Sequence, residues 1–585
     1  MKISLKTYEK PLVFLQAVFI YTWLANLAGT DSYFSVYMLC ALAGLICICD
    51  NYRRKPMLSR RNGIWIAVFA ALFALAAVLA NYALFEPITA LLSLFNVGCS
   101  LVGGFSVGFN VLLCLMTRFP LTGDVPERKH PMRLFLLAFV SIAVIDLLYL
   151  YFASYPGVLT TDSVSTIEQI EYGQYNNVMP YWHTVTVELF YKIGLALFGE
   201  INGAIAFFHS VQILFMAACF ACALVTLYQA GVSQGVIGIC YGIYAFLPYN
   251  IAYSVTLWKD VPFAAAALLF VTGLYRILRK IGKSQVLNYA IFTVGAVGLS
   301  LWRTNGWYAF LATTLVMLLL LRKHYKKLLV IMCAVLVLCW VLINPVLDVL
   351  GVSGTDFMEA LAVPFQQIAR VVANDRELTE DEEVLLSEAF WLDRVRELYT
   401  QETVDPIKFE AFRHDNRAYV EARLRDYVKL YLKLGLRYPG DYLKAWVEET
   451  KGYWNGGYSY WIYTRGVDSN DLGIEWTGGD HFISKAFGAI FRYLEKPAVF
   501  QPLYSIGLQV WIVIACCLIN VLKKREEFLL TIPMLVLVIG LWLGSPVYAE
   551  FRYAYPVFLT VPVIVCGTLF SSNKSLGICD TNALF

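Results

Sequence analysis

The sequence predicts an all-α polytopic membrane protein with about fourteen transmembrane helices, and three observations carry that prediction. Hydrophobic residues make up 59% of the 585 and charged residues 15%, against about 25% charged in a soluble domain. Mean hydropathy is +0.61. Apolar runs near the roughly 20 residues that a bilayer core requires recur along the chain, separated by short polar junctions.

The runs lie near residues 11–29, 33–49, 63–80, 89–116, 133–153, 202–228, 234–250, 261–278, 287–302, 307–321, 328–345, 502–522, 528–545 and 553–570. The first is too long for a typical signal-peptide core and lacks a small-residue cleavage site, so it reads as a retained span. Lys and Arg set the orientation. With alternating spans, the basic clusters at 2–10, 53–61, 118–133, 276–283, 322–327 and 523–525 share one side, which the positive-inside rule makes cytoplasmic. The expectation is a multi-pass plasma-membrane protein with a cytoplasmic N-terminus. Residues 183–199 are nearly long and apolar enough to span. Counting them would invert every later cluster, so they read as an interfacial or re-entrant outer helix, with Glu188 and Lys192 spaced i,i+4.

A net charge of +3 with basic residues scattered between apolar runs excludes a nucleic-acid partner. Thirteen of the fourteen cysteines lie in or beside apolar segments, and residues 346–500 contain none, so no disulfide framework is expected. Cys47 with Cys49, and Cys219 with Cys222, read as small buried apolar residues.

Four regions follow. Residues 1–130 hold four N-terminal helices and end in a charged, proline-containing linker. Residues 131–345 form a membrane core whose first outer loop covers 154–200. Residues 346–500 form an outer helical domain, because apolar residues recur there at three and four spacing among charges. Residues 501–585 supply the last membrane helices. The aromatic stretch at 453–461 reads either as the lining of a sugar or lipid site or as a belt at the membrane surface.

Chemistry concentrates at residues 155–184, a loop that turns at Pro156-Gly157, presents Asp162 ahead of a short helix at 163–172, and returns through Pro180 to His183. Lys259, Arg303 and Arg552 map to the same outer interface. Arginine there runs against the charge bias, which suits an anion site for a lipid phosphate. The alternatives are snorkelling to headgroups or local pairing, as between Arg552 and Glu550. Asp162 reads as a general base or as a cap of its helix. His183 reads as a second acid/base, a hydrogen-bond donor or a structural residue. Asp146 is an intramembrane acid, either functional or bonded to a neighbouring helix. No cofactor is expected: there is no His/Cys cluster, and a hard cation would need Glu168, Glu171 or Asp260 to converge on Asp162.

These motifs resemble the GT-C superfamily of polytopic glycosyltransferases, within it a group of bacterial multi-span proteins that look like the protein mannosyltransferases. The resemblance runs from about residue 133 to 570 and rests on YPG followed by Asp162-Ser163, PYWHT at 180–184, WKDVP at 258–262, RTNG at 303–306, PFQQIAR at 364–370 and FRYAYP at 551–556. It implies transfer of a sugar from a polyprenyl-phosphate donor to an acceptor on the outer face, and the reading adopted on it is inverting transfer to an envelope glycan, lipid or protein. Asp162 matches the base position. Lys259, Arg303 and Arg552 would hold the donor phosphate, and His183, Asp260, Asn305, Gln366, Gln367, Arg370 and Tyr553 would serve catalysis and substrate binding. The partners implied are the donor and membrane lipids. Arg303→Ala would then weaken donor binding in a folded chain. Two departures stand out: four extra N-terminal helices, and Asp-Ser in place of the acidic pair of several relatives. The rival readings are a transporter or lipid flippase, and an envelope glycan polymerase or ligase using a glycan-diphosphate donor. The flippase reading expects charges through the membrane middle and paired broken helices.

Overall fold

In a computed structural model, residues 9–28, 33–87, 90–119, 128–352, 361–458, 461–479, 481–545 and 547–570 are described. Among them the chain is helical, with isolated β-bridges and no strand. Every predicted apolar run contains a helix. Ten helices are long and apolar enough to cross a membrane, and a bent pair makes an eleventh. The other three are shorter than a span of about 20 residues, so the structure supports fewer clear spans than the fourteen expected.

The N-terminal group comprises α1 (Lys10–Leu27), α2 (Phe34–Arg54), α3 (Arg60–Ala80) and α4 (Leu91–Arg118). Helix α4 packs on the other three. Amides join them: buried Asn51 donates to Asn110 at 3.1 Å, and half-buried Asn26 donates to Ser100 at 2.8 Å. In an apolar surrounding such groups need partners, and each pair therefore pins one helix to another.

The central bundle begins with α5 (Pro131–Ala153), the short loop helix α6 (Thr161–Tyr172) and α7 (Tyr181–Phe198), followed by α8 (Ile201–Gln229). Helix α7 packs on α8 and is not among the candidate spans; Lys192 and Glu188 pair on it as their spacing requires. Next, α9 (Gln234–Phe246) and α10 (Pro248–Ser254) meet at a 48° bend, because Pro248 cannot donate to the helix ladder. Helix α11 (Asp260–Leu278) is apolar between the charged residues Asp260 and Arg276 near its ends and every residue is buried, so it is the axis of the bundle. It is flanked by α12 (Gln285–Leu301), α13 (Thr304–Leu321) and α14 (Lys326–Ile343), which continues into α15 (Pro345–Leu350).

A separate apolar core organises α16 (Ala362–Ala373), α17 (Glu380–Ala389), α18 (Leu392–Leu398), α19 (Arg417–Ala422), α20 (Leu424–Arg437) and α21 (Pro439–Thr450), around Phe365, Phe390, Phe412 and Leu434. Thr379 and Glu382 form a capping box at the start of α17. Beyond Thr450 the chain leaves this core. Tyr453 joins the membrane core, and α22 (Phe482–Glu495) lays Phe487 and Phe491 on Tyr149 of α5 at 5.0 and 5.4 Å. The polar region at 346–500 is thus a helical unit followed by a strap against the bundle. Helices α23 (Ile506–Leu522), α24 (Ile532–Gly544) and α25 (Phe551–Leu569) close the chain, α25 lying along α11.

Candidate functional site

The loop after α5 is held by its own backbone. Gly157 has φ +136, a region that side chains avoid, and a Cβ there would lie 2.1 Å from His209. Val158 bridges Thr256 and Leu159 bridges Val467, both in parallel. The loop is therefore clamped between the turn before α11 and the strap at 466–468. Thr160 and Ser163 form the capping box of α6, and Trp258 Nε1 donates to Thr160 Oγ1 at 2.8 Å. Asp468 Oδ2 accepts from Thr161 N–H and Oγ1–H at 2.7 and 3.0 Å. Sequence reading missed Asp468, since nothing local links it to a loop some 300 residues earlier. Asp468→Ala is expected to cost about 1 kcal/mol, the usual worth of such an N-terminal cap, read as a lower Tm with the loop's protease resistance reduced.

With the cap supplied by Thr160, Asp162 is free of that duty. Its carboxylate accepts from Arg552 Nη1 at 2.8 Å. The same guanidinium lies 3.2 Å from Glu550, without hydrogen-bond alignment, and over the ring of Trp258. Arg303 pairs with Asp260 and stacks 4.6 Å over Tyr553, whose ring also meets Arg552 at 5.2 Å. Gly306 lets α13 start here: a Cβ would fall 1.8 Å from the Leu299 carbonyl at the end of α12. Lys259 stands beside this group, its field felt with those of Asp260, Asp162, Arg303 and Arg552, and its Nζ donates to Val178 O at 3.4 Å. Burial lowers the ammonium below the usual lysine range, against the pull of Asp260 and Asp162.

Three cations and three carboxylates thus meet in one cluster, and the isolated arginines expected from sequence are paired. The carboxylates differ in access. Asp260 is fully buried, Glu550 nearly so, and the Asp162 side chain is 40% exposed. Each group sits at a helix N-terminus: Asp162 in the first turn of α6, Lys259 and Asp260 at the start of α11, Arg303 before α13, Glu550 and Arg552 at the start of α25. Four helix dipoles therefore present their positive ends to one place, where an anion is favoured.

Burial pushes the Glu550 carboxyl up to about 7, with Arg552 opposing. The protonated form is favoured in the fold, so stability from this group falls as pH rises from about 4.3, the unfolded carboxyl value, to about 7. Glu550→Gln is expected to remove that slope, on the order of 3 kcal/mol across the window, measured as Tm against pH.

His183 lies in the first turn of α7, buried, with neither ring nitrogen bonded. Burial, with Lys259 nearby, pushes its imidazole down to about 3, so it is neutral at physiological pH. Its two ring nitrogens are thus a neutral donor and a neutral acceptor without protein partners. Asn305 is exposed one residue into α13.

Gln366, Gln367 and Arg370 are not brought to the cluster. All three are buried in α16: Gln366 donates to Thr400 O, Gln367 to Tyr442 O at 3.0 Å, and Arg370 to the Tyr399 hydroxyl at 3.3 Å. Their amphipathic helix spends them on satisfying the polar interior of the helical unit, which corrects the expectation of a substrate contact. Glu168 and Glu171 do not join Asp162 either; Glu171 accepts from Tyr191 at 2.7 Å. Among the described residues no group of three His, Cys, Asp or Glu is arranged to hold a metal ion. Asp146 is buried beside Ser254 of α10. Of the aromatic stretch, Tyr453 and Trp454 are buried, Ser459 and Tyr460 lie outside the described residues, and Trp461 reaches 5.7 Å from Trp258.

No curated protein and no solved structure matches the chain. A family profile begins downstream of Asp162 and covers the other members of the cluster. It is that of a family of unknown function (DUF6020), and since it matches residues 174–577, more than half of the 585, the chain belongs to that family.

Proposed function

We propose that this chain is a plasma-membrane glycosyltransferase that moves a sugar from a polyprenyl-phosphate donor to an extracytoplasmic acceptor, inverting the anomeric carbon. The observation that carries the reading is the ion pair between Asp162 and Arg552, 390 positions apart, at the meeting point of four helix N-termini. An acceptor hydroxyl attacks the anomeric carbon, its proton passes to Asp162, and the carbon–oxygen bond to the phosphate breaks. The negative charge that develops on the departing phosphate falls on Arg552, Arg303 and Lys259. A guanidinium carries five donors, so Arg552 can hold Asp162 and a phosphate oxygen together. Asp162 is the base because it alone of the three carboxylates is accessible. Tyr553 orients both arginines, and neutral His183 meets the sugar or the acceptor.

The orientation that the basic clusters imply sets the cluster and the helical unit outside and the N-terminus in the cytoplasm. The helical unit selects the acceptor. In nanodiscs, the purified chain is expected to release polyprenyl phosphate from one member of a panel of polyprenyl-phosphate sugars. Release of a polyprenyl diphosphate from a glycan-diphosphate donor instead would assign the polymerase or ligase reading.

One observation favours a transporter or lipid flippase: α9 and α10 form a broken helix, and Asp146 is buried against it. That reading needs substrate to cross sealed vesicles with no bond broken. Transport of an intact polyprenyl-phosphate sugar, without release, would replace the enzyme by the carrier.

A further inference from the structure

At the far end of α5 from the charged cluster, a cavity of about 680 Å³ opens between α5, α8 and α9, within the roughly 300–1,000 Å³ of small-molecule sites. Helix α5 has 23 residues, which sets this cavity on the order of 35 Å from the loop that carries Asp162. Its walls are apolar, with Leu134, Leu137 and Ala138 facing Leu224 and Ile237. The hydroxyls on that wall satisfy each other, Tyr241 donating to Ser141 at 2.9 Å. Its mouth carries two cations, Lys129 and Arg133, with the His130 side chain beside them. All three are exposed, and no carboxylate of the described residues pairs with any of them.

The mouth is built in advance. The Arg128 guanidinium stacks 5.0 Å over Tyr228 and donates to Val232 O at 3.0 Å, and the Tyr228 hydroxyl donates to Lys129 O at 3.0 Å. These contacts tie the backbone of the rim, which carries Lys129, His130 and Arg133, to the end of α8 before anything binds. The N-terminal dipole of α5 adds to their field.

We propose that this cavity binds an anionic phospholipid, its phosphate at Lys129, His130 and Arg133 and one acyl chain along the wall that Leu137 begins. The two halves of the cavity require both parts of that ligand. A soluble anion has no use for the apolar wall, and a neutral hydrophobe has none for two cations that no carboxylate of the described residues pairs. Basic pockets between membrane helices at the positively charged end of a bundle are where anionic headgroups concentrate. The proposal does not rest on the glycosyltransferase reading.

The test uses the full chain in detergent, with lipid adducts counted by native mass spectrometry against dioleoyl phosphatidylglycerol and dioleoyl phosphatidylcholine. Two variants separate the halves. Lys129→Gln, His130→Gln and Arg133→Gln combined removes the cations from exposed positions. Gly238→Leu fills the wall: Gly238 lines the cavity, and no atom lies within 4 Å of a Cβ built there. Leucine also suits the helix better than glycine. The wild type is expected to hold phosphatidylglycerol at least 10-fold more tightly than phosphatidylcholine. The triple variant should lose that preference, and Gly238→Leu should weaken both lipids about 10-fold at unchanged Tm. Equal affinity for the two lipids in the wild type, or unaltered binding in both variants, overturns the proposal. So does displacement of phosphatidylglycerol by glycerol phosphate at equal concentration, which would make this a soluble-anion site.

Discussion

Asp162→Asn is expected to lower release of polyprenyl phosphate by about 10²–10⁴-fold, the range for loss of a general base, while the chain stays folded. The amide keeps the shape of the carboxylate and cannot take the acceptor's proton. Helix α6 does not depend on Asp162, because Thr160, Ser163 and Asp468 satisfy its first turn. Arg552 keeps Glu550 at 3.2 Å and the ring of Tyr553 as neighbours. The measurement is single-turnover release in nanodiscs, with Tm recorded on the same sample. Wild-type release from the Asn variant would remove Asp162 from the chemistry, and a Tm drop of many degrees would make it structural.

Arg303→Ala is expected to destabilise the chain by about 3–5 kcal/mol, the cost of stranding a buried charge. Its partner Asp260 is fully buried, and one of its oxygens has no other bond. This revises the sequence-level expectation of a folded variant with weakened donor binding. Adding Asp260→Asn removes the stranded charge, and the double variant should recover most of the lost Tm. Donor affinity is therefore to be measured in the double variant, where folding and binding separate. Arg303→Lys keeps the charge but loses the planar stack on Tyr553, and should fall between wild type and Arg303→Ala. Equal Tm for wild type and Arg303→Ala would show that the pair contributes nothing to stability.

The residues of the cluster were legible one at a time. Asp162 stood out after a Pro-Gly turn, and Arg303 and Arg552 stood out because arginine at that interface opposes the charge bias. Their pairing was not legible. Gln366, Gln367 and Arg370 misled because an amphipathic helix shows the same polar spacing whether its polar groups face a ligand or bond inside a small core. Glu550 read only as a neighbour of Arg552, since burial, which makes it titrate near neutrality, has no local sign.

By itself the sequence determined the helical, lipid-facing character of the chain, the extent of its apolar runs, and the short helix after Asp162. These are local properties: run length answers to the bilayer and caps answer to the next four residues. Only the tertiary structure decided which charges meet, that Asp162 faces Arg552, that Asp260 holds Arg303, and that Asp468 caps α6. Such contacts join positions up to 390 apart, and they depend on how helix ends are carried together by packing that leaves no mark on the residues beside them.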